Sequence, residues 1–183
     1  LVEVIRADQT LPEVVTQVAD LARSLGKHPA VIGDKPGFIV NRLLLTYINH
    51  AIWLYDLKHA TPEQLDIAMR EHASYPMGPM ELADLIGLDT CLEVQRTIYA
   101  DTGREVDRPA ASLEAHVAAG ALGRKSGSGY YNYGSGPLEL ASSNADQEKQ
   151  LCEDLLVAYL GDALDMHESG YASQEDIDAG MRL

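Results

Sequence analysis

The sequence is poor in basic residues and in long apolar runs, and each deficit excludes a class of protein. Fourteen lysines and arginines face 28 aspartates and glutamates, so the formal charge is −14 and phosphate groups would be repelled. No apolar run approaches the roughly 20 residues that a membrane-spanning helix needs. We therefore expect no nucleic acid and no membrane among the partners of this chain.

Cysteine is also scarce, and neither cysteine has a nearby mate. Cys91 and Cys152 stand far apart in helical contexts, which gives neither a CxxC pair nor a disulfide framework. Buried thiols in a reducing, cytoplasmic compartment fit this pattern. The six histidines show no HExxH or paired spacing, so we expect no metal. An initiator methionine is missing before the first apolar run, which indicates a piece of a longer protein.

The chain opens with the pattern of a strand, a helix and a second strand. A β-branched run at 1–5 predicts the first strand, and three apolar residues at 30–32 predict the second. Between them, Thr10 and Glu13 have the spacing of a capping box at the start of an amphipathic helix. Because this is the length of a right-handed crossover, residues 1–33 are predicted to be the last part of a parallel sheet.

The next part of the chain is predicted to be helical. Pro36 and Gly37 form a turn, because proline disfavours a helical conformation at the residue before it and glycine adopts dihedrals closed to other residues. Helical spacing then predicts five helices, at 38–57, 62–72, 80–86, 89–101 and 112–119.

A glycine-rich loop at 123–129 precedes an aromatic run at 130–133. Its order, Arg-Lys-Ser-Gly, differs from the Gly-Lys-Ser or Gly-Lys-Thr that precedes a helix in phosphate-binding loops. We therefore interpret it as a mobile connection, in which Arg124 or Lys125 are candidates for contact with a phosphate.

The chain then repeats part of itself at a constant offset of 112 residues (159 − 47 = 112), which indicates a duplicated helix pair. The second copy has Glu153 and Asp154 where the first has Asn41 and Arg42, and no Pro-Gly precedes them. The matched positions are Leu43 and Leu155, Leu44 and Leu156, Tyr47 and Tyr159, Ala51 and Ala163, Ala60 and Ala172, Glu63 and Glu175, Asp66 and Asp178, Met69 and Met181, and Arg70 and Arg182.

Several motifs together resemble the 3-hydroxyacyl-CoA dehydrogenases, in order and spacing, over roughly residues 1–133. They are Leu-Val-Glu-Val-Ile at 1–5, Lys-Pro-Gly-Phe-Ile-Val-Asn-Arg at 35–42, Tyr-Pro-Met-Gly-Pro at 75–79 with Glu-Leu-Ala-Asp at 81–84, and Gly-Arg-Lys-Ser-Gly at 123–127 before two tyrosines. In that family a Rossmann-type domain binds NAD and a helical domain supplies the substrate cleft and dimerisation. Hydride passes between the cofactor and C3 of a 3-hydroxyacyl-CoA.

The resemblance implies a mainly α fold, in which a helical dehydrogenase carboxy-terminal domain follows a strand-helix-strand remnant of a Rossmann-type sheet. It also implies a division of the chain. The four parts are the tail of the NAD-binding domain at 1–35, the substrate and dimerisation domain at 36–134, a linker at 135–146, and a partial second helical repeat at 147–183.

The resemblance implies roles for five residues. The family's catalytic histidine pairs with a glutamate that falls on Glu3, and its substrate-facing asparagine falls on Asn41, so both are implied to be catalytic. Asn41, Tyr75, Pro76 and Met77 are implied to bind substrate. The histidine and the Gly-x-Gly-x-x-Gly dinucleotide turn are missing from these 183 residues, so the chain itself has no cofactor-binding residue, although the intact enzyme would use NAD.

Three functions stay open. The first is part of an enzyme that oxidises 3-hydroxyacyl-CoA to 3-oxoacyl-CoA in fatty-acid or related acyl-CoA catabolism, with the chain inactive alone. The second is a helical interaction module, as a homodimer or an internal pseudo-dimer. The third is a non-enzymatic relative, in which Glu3 is an ordinary strand residue, Asn41 an ordinary helix residue, and 75–79 a rigid turn only.

Overall fold

The computed structural model describes residues 1–136, 138, 140–142 and 144–181. Within them, one pair of short strands accompanies eight α-helices, so the predicted mainly α fold with a strand-helix-strand start is confirmed. In chain order the elements are β1 (Val2–Arg6), α1 (Pro12–Ser24), β2 (Pro29–Gly33), α2 (Val40–Asp56), α3 (Pro62–His72), α4 (Pro79–Ile86), α5 (Leu88–Thr102), α6 (Ala111–Ala118), α7 (Ala145–Glu168) and α8 (Gln174–Met181).

Two compact units make up the chain. The first contains residues 1–44 and 160–183, and the second contains residues 45–159, so the division falls within helices α2 and α7. The domain boundaries expected from the sequence stay predictions. No helix in the described part of the chain is long and apolar enough to cross a membrane.

The first unit begins with a parallel pair of strands. β1 and β2 pair in register, with Glu3 opposite Ala30 and Val4 opposite Val31. Helix α1 connects them and buries Val15, Ala19 and Ala22, which lie on one helix face because their spacing follows the helical period. The crossover predicted from the sequence is therefore present.

The capping box predicted at Thr10 and Glu13 is wrong. Helix α1 is preceded by Leu11 as its N-cap, in an extended conformation, and no side chain caps the helix. A box starting at Thr10 would require Leu11 to be helical, but Leu11 precedes Pro12, and proline disfavours the helical conformation in the residue before it. The helix can therefore start only at Pro12.

The second unit is helical. Helices α3 to α6 follow the predicted bounds to within one residue at the start of each, and α3 has a complete capping box. The Thr61 hydroxyl accepts the N–H of Gln64, and the Gln64 side chain accepts the N–H of Thr61. Both helices begin at a proline, but Pro62 directly follows Thr61, whereas Pro12 lies two residues after Thr10. A threonine can therefore cap α3 but not α1.

The turn after α2 and the turn after α7 have the same local geometry at the offset of 112 residues. Lys58 and Gly170 both have positive φ, 60° and 68°. The matching backbone hydrogen bonds are Leu57 to Trp53 and Ser169 to Asp165, Lys58 to Tyr55 and Gly170 to His167, and His59 to Leu54 and Tyr171 to Met166, donor first. Arg182, matched to Arg70 in the sequence, lies outside the described residues.

Candidate active site

The turn before α2 has an unusual backbone. Gly37 and Phe38 have φ values of 82° and 51°, and the N–H of Arg42 donates to the carbonyl of Gly37 at 2.9 Å. A Cβ at Gly37 would lie 3.0 Å from the backbone of Arg42, so the close approach also favours glycine. Because Phe38 is not helical, α2 begins at Val40, two residues later than predicted. A bulky residue at positive φ stores backbone strain.

Glu3 lies beside the first turn of α2. Its Oε1 atom accepts the N–H of Ile39 at 2.7 Å and the N–H of Val40 at 3.3 Å. These N–H groups have no carbonyl partner within the helix, and the positive end of the helix dipole favours a carboxylate there. Asn41 follows directly, with an exposed side chain. The structure therefore brings Glu3 next to the turn that carries Asn41, within the first unit.

Tyr75, Pro76 and Met77 lie together in the second unit, between α3 and α4. Tyr75 and Pro76 are exposed and Met77 is half-buried. The N–H of Tyr75 donates to the carbonyl of Met69 at 3.1 Å, and its ring packs edge-on against Tyr47 with centroids 6.4 Å apart. Their substrate-binding role stays a prediction.

A buried carboxylate that sequence reasoning missed holds this turn in place. Asp66 is fully buried and accepts the N–H groups of Met80 and Glu81 at 2.7 and 2.9 Å, and the Tyr131 hydroxyl at 2.8 Å. Helix α4 needs this external cap because its own N-cap, Gly78, has no side chain. The sequence does contain a signal for this role, because an aspartate inside the apolar run of α3 indicates a buried carboxylate, and a buried carboxylate needs hydrogen-bond partners.

A second buried carboxylate organises the glycine-rich loop. Asp84 accepts the N–H groups of Tyr130 and Tyr131 at 3.0 and 2.9 Å, and the Tyr133 hydroxyl at 3.0 Å. A Cβ at Gly123 or Gly129 would come within 2.3 or 2.0 Å of Asp84 atoms. Two of the loop's glycines, Gly123 and Gly129, are therefore needed for close packing on Asp84, and the interpretation of the loop as a mobile connection stays a prediction.

The two basic residues of the loop already have acidic partners. Arg124 pairs with Glu81, and Lys125 pairs with Asp89. Arg70 also approaches Glu81, at 3.6 Å. A phosphate at this loop would have to compete with these carboxylates.

Burial raises the pKa of Asp66 to about 7, although three hydrogen-bond donors oppose the shift. Between pH about 4 and about 7 the native state therefore binds a proton that the unfolded state has released. We expect the stabilisation from this proton to be complete below the usual pKa of 3.8 and to disappear as pH rises to about 7. The loss would be on the order of 4 kcal/mol, at about 1.4 kcal/mol per pKa unit.

Urea unfolding of the wild type and of Asp66→Asn measures this contribution. The difference between the two free energies of unfolding should decrease from about pH 4 to about pH 7, because the amide does not titrate. Other carboxyl groups titrate in both proteins and cancel in the difference. A difference independent of pH would contradict a raised pKa at Asp66.

The segment between β1 and α1, residues 7–11, has no glycine and does not fit the tight turn on which a dinucleotide pyrophosphate binds. Within the described ranges, no group of three or more histidine, cysteine or acidic side chains could hold a metal ion.

Comparison with known proteins identifies the family. The profile of the 3-hydroxyacyl-CoA dehydrogenase C-terminal domain matches residues 37–133. The chain is 45% identical over 133 residues to a probable 3-hydroxybutyryl-CoA dehydrogenase from Deinococcus radiodurans, covering 73% of this chain and 48% of the relative. It is 43% identical over 134 residues to human mitochondrial hydroxyacyl-coenzyme A dehydrogenase, covering 73% and 43%.

Solved structures agree with this match. The 3-hydroxybutyryl-CoA dehydrogenase of Escherichia coli superposes with a TM-score of 0.85 at 25% identity, over 99% of this chain and 57% of that one. The (S)-3-hydroxybutyryl-CoA dehydrogenase of Ralstonia eutropha gives 0.69 at 42% identity, over 72% and 46%. The chain spans about half the length of the curated relatives it matches. Residues 37–133 match the C-terminal domain of the 3-hydroxyacyl-CoA dehydrogenases, and the chain belongs to this family.

Proposed function

We propose that this chain is the part of an NAD-dependent dehydrogenase that positions a 3-hydroxyacyl-CoA for oxidation to the 3-oxoacyl-CoA. The observation that carries the proposal is the Glu3 carboxylate bound at the first turn of α2, next to the exposed Asn41. The names of the relatives, 3-hydroxybutyryl-CoA and hydroxyacyl-coenzyme A dehydrogenases, support this substrate class.

The chemistry of the two residues suits this reaction. Oxidation of a secondary alcohol needs a base that works near neutral pH, and a histidine serves when a carboxylate stabilises its charged form. The N–H groups of Ile39 and Val40 both meet Oε1 of Glu3, so Oε2 is left for such a histidine. The Asn41 amide donates a hydrogen bond to the substrate oxygen without adding charge. Tyr75, Pro76 and Met77 form the predicted wall for the acyl chain.

The remainder of the chain is assigned by the same proposal. Residues 1–35 complete a dinucleotide-binding domain, residues 36–134 form the substrate domain, and residues 135–146 link it to a second, partial repeat at 147–183. The shared turn geometry after α2 and α7 supports the duplication. A reducing, cytoplasmic location fits the two free, buried cysteines.

An internal pseudo-dimer is the proposed mode of association between the repeats. Tyr47 and Tyr159 occupy the same repeat position and pack edge-on, with ring centroids 6.1 Å apart. Contact between equivalent residues is typical of a two-fold interface. This contact also favours the second candidate function, a helical interaction module without catalysis.

Replacement of Asn41 by alanine tests the catalytic proposal in the enzyme that contains this chain. We expect kcat for 3-hydroxybutyryl-CoA, followed by NAD reduction, to fall about 100-fold, because a positioned donor to the substrate oxygen is lost. Gln17→Ala removes another exposed helical amide of the same unit and should leave kcat unchanged. Equal activity of the two variants would exclude the role of Asn41, and an inactive wild type would favour the interaction module.

A further inference from the structure

We propose that Glu3 is also a positioning residue, which holds the turn at Gly37 and Phe38 and thereby places Asn41. The role of Asn41 in this inference rests on the proposed function. The holding of the turn rests only on geometry within the first unit, since Glu3 accepts two successive N–H groups that follow the positive φ of Phe38. Successive N–H groups in such a turn form a concave anion site.

The residues around the start of α2 supply no other carboxylate. Helix α2 has no acidic residue in its own first turn, and residues 36–39, which directly precede it, are Pro, Gly, Phe and Ile, none of which has a side chain able to cap a helix. Glu3 is 36 residues before Ile39 in the sequence, near the start of β1, and the fold of the first unit brings it to the turn. The N–H of Ile39 is buried with its residue, so loss of the acceptor would leave a buried donor unsatisfied.

The second repeat indicates that the turn is not required for packing of the helix pair. Residues 36–39 correspond to 148–151 at the offset of 112, and 148–151 are ordinary helix within α7. The same helix pair therefore forms without a positive φ at this point. In the first repeat the strained conformation ends one residue before the Val40–Asn41 pair, so it sets the direction in which α2 starts and where the Asn41 amide lies.

The first test uses the 183-residue chain and amide hydrogen exchange. In Glu3→Ala we expect the amides of Ile39 and Val40 to exchange at least about tenfold faster, because their acceptor is gone. Glu3→Gln keeps a carbonyl acceptor and should retain most of the protection. Glu13→Ala removes an exposed acid in the first turn of α1 and is the matched control. Unchanged protection in Glu3→Ala would overturn the proposal.

A second substitution distinguishes a specific effect of Glu3→Ala on the turn from a general loss of stability. Phe38→Gly removes the cost of the positive φ, so the turn should persist without the carboxylate. The readout is the N–H of Arg42, which donates to the carbonyl of Gly37 at 2.9 Å and therefore reports on the turn itself. We expect Glu3→Ala to lower its protection and the double variant Glu3→Ala, Phe38→Gly to recover it. If protection stays as low as in Glu3→Ala alone, strain at Phe38 is not what Glu3 offsets, and the proposal fails.

The activity test distinguishes this inference from the proposed function. In the enzyme, Glu3→Gln should lower kcat through lost charge beside the base, and Glu3→Ala should lower it about tenfold further through displacement of Asn41. Phe38→Gly should recover that further factor. Equal kcat for Glu3→Ala and Glu3→Gln would overturn the positioning role alone. Wild-type kcat in both, in an active enzyme, would overturn the proposed function as well.

Discussion

Asp66→Ala is expected to lower the free energy of unfolding by about 3 to 5 kcal/mol at about pH 4, where the folded protein holds the Asp66 proton, because it breaks a buried hydrogen-bond network. The substitution leaves two N–H groups at the start of α4 and the Tyr131 hydroxyl without their acceptor. Each unsatisfied buried donor costs about 1 to 3 kcal/mol. Urea unfolding followed by circular dichroism measures the loss.

The sequence match at an offset of 112 residues provides the matched control for this prediction. Asp178 corresponds to Asp66 at this offset but is exposed on α8. Asp178→Ala should change the free energy of unfolding by no more than about 0.5 kcal/mol. A loss below about 1 kcal/mol for Asp66→Ala would mean that water takes over the acceptor role, and the cap on α4 would not be structural.

Gly78→Ala is expected to destabilise the chain by about 3 kcal/mol or more, because there is no space for a methyl group. A Cβ at this position would lie 2.2 Å from the Cα of Asp66 and 2.3 Å from its Oδ1. The backbone of α3 would have to move, and the hydrogen bonds from Asp66 to α4 would be lost with it. Thermal and urea unfolding of the purified variant measure the effect, and failure to accumulate folded protein is its extreme form.

Gly161→Ala is the control that distinguishes a steric clash of the added Cβ from the general effect of replacing glycine by alanine. Gly161 lies inside α7, with nothing within 4 Å of an added Cβ. Alanine is the better helix former there, and we expect a gain of about 0.5 to 1 kcal/mol. If Gly78→Ala is tolerated as well as Gly161→Ala, the close contact between α3 and the start of α4 is not maintained in solution.

Asp66→Ala and Gly78→Ala also test the predicted role of residues 75–77 as a wall for the acyl chain. Asp66 and Gly78 fix the start of α4, and the segment with Tyr75, Pro76 and Met77 connects this point to α3. If that segment contacts an acyl chain, partial loosening should raise KM more than it lowers kcat, because the reacting atoms lie elsewhere.

Helical spacing and capping rules predicted most helix starts, but the capping rule failed at α1 because of the position of a proline. The start of α3 at residue 62 was predicted correctly, and there the proline directly follows Thr61, the residue that caps the helix. The spacing of Thr10 and Glu13 satisfied the same rule, but Pro12 stands one place later and forbids a helical Leu11. The position of Pro12 in the sequence is therefore enough to exclude a cap at Thr10.

Other features could not be derived from local sequence. The acceptors for the starts of α2 and α4 are Glu3 and Asp66, which lie 36 and 14 residues before the N–H groups they bind. Likewise, the glycine-rich loop packs on Asp84, about 40 residues earlier in the chain. The apolar neighbours of Asp66 can indicate that it is buried, but the local pattern does not specify which distant N–H groups a carboxylate meets.

By itself the sequence determined the parallel strand pair, the starts of helices α3 to α6 and the match of residues at an offset of 112, because helical periodicity depends on neighbours within a few positions. Only the tertiary structure decided that Phe38 adopts a positive φ, that Glu3 binds the start of α2, and that Asp66 and Asp84 are buried. Those outcomes depend on which distant groups meet, and a buried N–H accepts whichever carboxylate the fold brings to it.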